Sequence, residues 1–128
     1  MSYTFTRVLD IPFDQAVDRV TAALSTAGFG VLSDIDVAAT MKKKLDRDMP
    51  PYRILGACNP QMAWQALEVE PRIGAMLPCN VIVRETGEGR TEVSAIDPVV
   101  SMQGVDNPGL GPIAEQVRTT LREVMDGM

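Results

Sequence analysis

The segment that most restricts the fold of this chain is CNVIVRETGEGRTEVSAID, residues 79–97. The strands CNVIVRET and TEVSAIDPV flank Gly87-Glu88-Gly89. Period-two alternation marks strands with one buried face, and a short glycine break between two such runs marks a hairpin. The strands of a hairpin are antiparallel. With Glu85 facing Thr91 across the turn, counting back along both strands places Cys79 opposite Asp97.

Upstream, residues 2–9 (SYTFTRVL) alternate, with Tyr3, Phe5, Arg7 and Leu9 on one side and Thr4, Thr6 and Val8 on the other. Arg7 interrupts an otherwise apolar face. A helix begins near Pro12, since proline suits a first turn, and Phe13, Ala16, Val17, Val20, Leu24 and Ala27 form its apolar face. Gly28 ends it as a left-handed cap, with Phe29 placed for the accompanying apolar contact. FGVLSDI (29–35) reads as a strand. Asp36 caps a short helix with Val37, Met41 and Leu45 on one side, and Met49-Pro50-Pro51 breaks it. YRILGAC (52–58) is the next strand. Asn59 then caps a helix with Pro60 at its first position, and Pro71 stops it after about Val69. A Gly/Pro-rich connector, SMQGVDNPGLGP, precedes a last helix striped by Ile113, Val117, Leu121 and Val124.

The order is therefore βαβαβαββα. Amphipathic helices need a sheet face to cover, so the economical fold is α+β, a two-layer sandwich with a mainly antiparallel sheet. The runner-up, a doubly wound parallel sheet, lacks a phosphate-binding glycine motif after its first strand. Length suits one domain spanning 1–128, with no internal repeat or separate linker.

Residue content narrows the function. The chain has no histidine, which removes the usual general base, the Ser-His and Cys-His pairs, and imidazole ligation of zinc or haem. Net charge is −5, and the one basic run, Lys42-Lys43-Lys44, is followed at once by Asp46 and Asp48, so a nucleic-acid partner is not expected. One Trp, two Tyr and three Phe make a poor stacking platform for bases. No apolar run reaches the ~18 residues of a membrane span, and MSYTFTRVLDIPFDQ does not read as a signal peptide. The expected location is the cytoplasm, with no membrane partner.

Two cysteines carry the remaining chemistry. Cys58 precedes a helix N-terminus, which favours a thiolate and lowers its pKa if the thiol is partly exposed. Cys79 opens a strand after a helix of ~15 Å and a returning segment, so the chain allows the two to meet. A carboxylate at Asp97 disfavours ionisation of Cys79, which suggests an asymmetric pair with Cys58 attacking and Cys79 resolving. Two thiolates with thioethers from Met62 and Met76 suit Cu(I), because soft ligands select soft ions. The bland alternative is that the cysteines are small hydrophobes and the eight methionines core fillers. No cofactor is implied.

Other features read as structural. Asp97-Pro98 fits a turn cap, Glu68 and Glu70 do not share a helix face, and Gly104, Gly109 and Gly111 lack nucleotide-loop spacing. Trp64 marks a contact or platform if exposed, and core if buried.

YRILGACNP, MAWQALEVEPRIGAMLPCNVIVRE and VSAIDPVVSM, together with GFGVLSDIDVAATMKKKL at 28–45 and the final helix, resemble the family of domain of unknown function 302. The resemblance covers nearly the whole chain. It implies a small cytoplasmic α+β domain of bacteria and archaea, often a homodimer, with no established reaction and no catalytic residues to carry over.

Three readings follow. The first is a homodimeric module for small-molecule binding or assembly, with its pocket near Cys58, Asn59, Pro60, Cys79 and Asp97 and the 99–112 connector. The second is a thiol redox or sulfur-handling protein using Cys58 and Cys79. The third is a Cu(I)-type carrier. A conventional hydrolase or transferase has the least support.

Overall fold

The computed structural model describes residues 2–128. The chain runs β1 (Thr4–Leu9), α1 (Phe13–Thr26), β2 (Gly30–Asp36), α2 (Val37–Leu45), β3 (Tyr52–Cys58), α3 (Pro60–Val69), β4 (Cys79–Gly87), β5 (Arg90–Ile96), α4 (Pro98–Ser101) and α5 (Leu110–Asp126). A 3-10 helix over Pro71–Met76 joins α3 to β4. The order expected from the sequence holds, with α4 as an added turn where the β5 strand was expected to continue through Pro98 and Val99.

All five strands form one sheet in the order β1-β5-β4-β3-β2, and every neighbouring pair is antiparallel. β1 and β2 therefore run the same way at opposite edges, and α1 crosses the sheet between them. The hairpin register is Glu85 to Thr91 and Val83 to Val93, with Gly89 in the left-handed region (φ 66°) at its tip. Gly28 ends α1 at φ 89°, and the Phe29 N–H reaches back to the Leu24 carbonyl at 2.9 Å. That bond satisfies a carbonyl the helix would otherwise leave unpaired.

One face of the sheet meets the helices. Leu9, Leu55, Ala57, Cys79, Val81, Val83, Val93 and Ala95 alternate along their strands and are buried against Ala16, Val20 and Leu24 of α1 and Val117, Leu121 and Val124 of α5. Fully burying one leucine such as Leu24, Leu55 or Leu121 contributes about 1.5–3 kcal/mol, so this layer dominates the stability. Arg7 shares this face without breaking it. Its Nη1 donates to the Met125 and Asp126 carbonyls at 3.0 and 2.9 Å, so it caps the C-terminus of α5. A second, smaller core joins Ala66 of α3, Ile73, Met102 and Leu110 and Ala114 of α5. Among the described residues no helix is long and apolar enough to cross a membrane.

Candidate functional site

Cys58 is the last residue of β3, and Asn59 caps α3 by accepting the Met62 N–H at 3.3 Å. Pro60 occupies the first helical position. Cys79 is the first residue of β4 and pairs with Ala57, the neighbour of Cys58. Sheet register thus brings both cysteines to one corner of the molecule. They line a common cavity of about 30 Å³ with Met62, Met102, Phe29 and Val117. Cys79 is buried, whereas Cys58 and Asn59 are half-buried and form the outer side. Both thiols are free.

Their electrostatics differ from the sequence expectation. Burial pushes the Cys79 thiol up from 9.0 to about 11, and charge on Cys58 adds to the shift. Burial also raises Cys58 rather than leaving it depressed by the helix end. The local hydrogen bonds give the reason. Pro60 has no N–H, the Met62 N–H is taken by the Asn59 side chain, and the Ala63 N–H goes to the Asn59 carbonyl. Most of the donors that would stabilise a thiolate are therefore absent or engaged.

The remaining candidates lie elsewhere. Continuing the β4–β5 register from Val81 opposite Ala95 sets Asp97 level with Cys79, as counted from the turn. The Asp97 carboxylate, however, accepts the Val99 N–H at 3.0 Å and sits 3.2 Å from Nη2 of Arg118. It is a cap and an ion-pair partner, and it does not line the cysteine cavity. Met76 is exposed on the 3-10 helix, outside the cavity. Met102, brought in by the connector after α4, lines it instead. The sequence held no local signal for Met102, because the connector lies remote from both cysteines until α5 packs it down. Beside the cavity, the connector forms a groove of about 280 Å³ lined by Gln103, Val105, Asn107, Leu110 and Glu115.

The second face of the sheet carries no helix layer. Register aligns Thr6, Ser94, Ile82, Ile54 and Ile35 in one row across all five strands. The next row runs Val8, Glu92, Arg84, Tyr52, with Arg84 and Glu92 joined by two hydrogen bonds of 3.1 and 3.0 Å. Ile54 and Ile82 are half-buried and Ile35 is 49% exposed. Edge strand β2 exposes every residue except Val31, including Leu32 at 70%. α2 buries no residue fully: on the side carrying Val37, Met41 and Leu45, Val37 is half-buried and the other two are exposed. Trp64 of α3 is 66% exposed and is not part of the core.

This architecture is similar to the crystal structure of an uncharacterized conserved DUF302 protein from Bacillus stearothermophilus, with a TM-score of 0.90 and 26% identity over 98% of each chain. No curated protein matches the chain. The family model described as domain of unknown function DUF302 matches residues 5–128, and the chain belongs to that family.

Proposed function

We propose that the chain works as a homodimeric assembly module, in which two copies bury their bare sheet faces and α2 helices against one another. The observation that carries this reading is the row Ile35, Ile54, Ile82 across an uncovered sheet, with α2, which follows edge strand β2, burying no residue fully. A nine-residue helix is too short to persist in water by propensity alone. In the protomer α2 is held by its Asp36 cap, the Lys42 pairs with Asp46 and Asp48, and packing on β3 that leaves Val37, Ala38 and Thr40 half-buried. A two-fold axis through the isoleucine row sets apolar centre on apolar centre, with the Arg84–Glu92 pairs at the rim.

For the small-molecule part of the reading, the connector groove of about 280 Å³ adjoins the cysteine cavity and is close to the lower end of the ~300–1,000 Å³ usual for ligand pockets. The thiol-redox alternative is less favoured. An attacking thiol needs thiolate near neutral pH, and burial keeps both thiols protonated there.

Sedimentation equilibrium tests the proposal. The wild-type chain is expected to dimerise at micromolar concentration, and Ile54→Arg to sediment as a folded monomer. A wild-type protein that stays monomeric to about 100 μM lies far outside the range of stable homodimers and rejects the reading.

A further inference from the structure

We infer that Cys58, Cys79, Met62 and Met102 form a binding site for a single Cu(I) ion in the cavity between the end of β3, α3 and α5. This goes beyond the assembly reading and uses a different surface.

The four residues come from four separate segments, β3, α3, β4 and the connector, and all line one cavity. The one other polar group there, the Asn59 amide, has its oxygen engaged in capping α3. The volume of about 30 Å³ is far below that of an organic ligand, and an ordered water needs two to four polar partners that this lining does not offer. A desolvated soft ion meets both limits. Among the described residues no three His, Cys, Asp or Glu groups gather to hold a metal. The donors that complete two thiolates are therefore thioethers, and such a set selects Cu(I) over harder divalent ions.

Cysteine and methionine also serve as plain core fillers. Here all four sulfur residues line the same half-open cavity, an arrangement that filling alone does not require. On loading, Cu(I) keeps its oxidation state. Two S–H bonds break, two Cu–S bonds form, two protons leave to solvent, and the thioethers donate lone pairs unchanged. The bound centre carries one net negative charge. Half-buried Cys58 forms the entry and buried Cys79 the inner anchor.

The test is anaerobic titration of the reduced full chain with Cu(I) in competition with bathocuproine disulfonate. One Cu(I) per protomer is expected. Because loading two thiols releases two protons, apparent affinity is expected to rise with pH. Cys58→Ser is expected to weaken binding at least ~100-fold and Met102→Leu about tenfold, while exposed Met76→Leu leaves it unchanged. Cys58 is half-exposed and Met102→Leu nearly isosteric, so both variants keep the fold, as circular dichroism would verify. Affinity that is flat in pH, or unmoved by Cys58→Ser, overturns the inference. So does equal behaviour of Met102→Leu and Met76→Leu.

Discussion

Asp97, at the end of β5, holds Arg118 of α5 through Oδ2 and Nη2, 3.2 Å apart, with the carboxylate side chain 4% exposed. The same carboxylate starts α4 by accepting the Val99 N–H. One buried group therefore fixes both the exit of the hairpin and the docking of the last helix, and this use takes it out of reach of thiol chemistry.

Asp97→Asn keeps the cap acceptor but removes the charge facing Arg118, whose Nε is already buried without a partner. Breaking a buried pair costs about 3–5 kcal/mol, and Arg118 is partly solvated, so a loss of about 2–3 kcal/mol is expected. Urea unfolding measures it. The Cys79 titration should not move in this variant, and a drop in its pKa would show that Asp97 acts on the thiol after all.

Alkaline pH should destabilise the fold through Cys79. Its folded pKa of about 11 lies above its ordinary 9.0, so the native state holds the proton more tightly than the unfolded chain. That contribution is fully present below about pH 9 and is lost as pH rises through about 11, a change of roughly 2–3 kcal/mol. Cys79→Ala should flatten the stability profile over this window. An unchanged slope in the variant would assign the alkaline loss to other groups.

Gly56→Ala tests how closely β2, β3 and the segment before β4 approach. A Cβ there would overlap the Ser33 hydroxyl and lie 2.6 Å from Cγ of Pro78. Ser33 can rotate, but the proline ring cannot yield, and overpacking of this kind costs about 1–3 kcal/mol. Thermal unfolding checks the value, and a variant as stable as wild type would mean that the edge strand moves freely.

On α2, Leu45→Ser removes an apolar side chain that is 61% exposed. Protomer stability should stay within about 0.5 kcal/mol, as for surface substitutions generally. If α2 packs on a second copy, the dimer dissociation constant rises about tenfold, equivalent to 1.4 kcal/mol. Concentration-dependent sedimentation of the variant separates the two effects.

The periodic elements were legible because each is written in neighbouring residues. Gly87-Glu88-Gly89 between alternating runs gave the hairpin and its register, Gly28 the end of α1, and Asn59-Pro60 the start of α3. The location of the cysteines was legible in part. Hairpin counting put Cys79 level with Asp97, but it could not say where the carboxylate points, since Arg118 lies 21 residues along the chain. The direction of the Cys58 shift is not legible in the sequence, where a helix N-terminus reads as a set of open donors. Which of those donors is free depends on the Asn59 rotamer.

What the sequence by itself determined is the α+β class, the order of elements and the strand end on which each cysteine sits, all consequences of local periodicity and capping. Tertiary structure alone decided three things. It made one sheet face the core and left the other bare, left α2 without a fully buried residue, and placed Met102 rather than Met76 on the cavity that both cysteines line. These depend on how segments far apart in the chain pack together, and burial, which sets both the thiol pKa values and the shape of the cavity, is a property of that packing and not of any residue's neighbours in sequence.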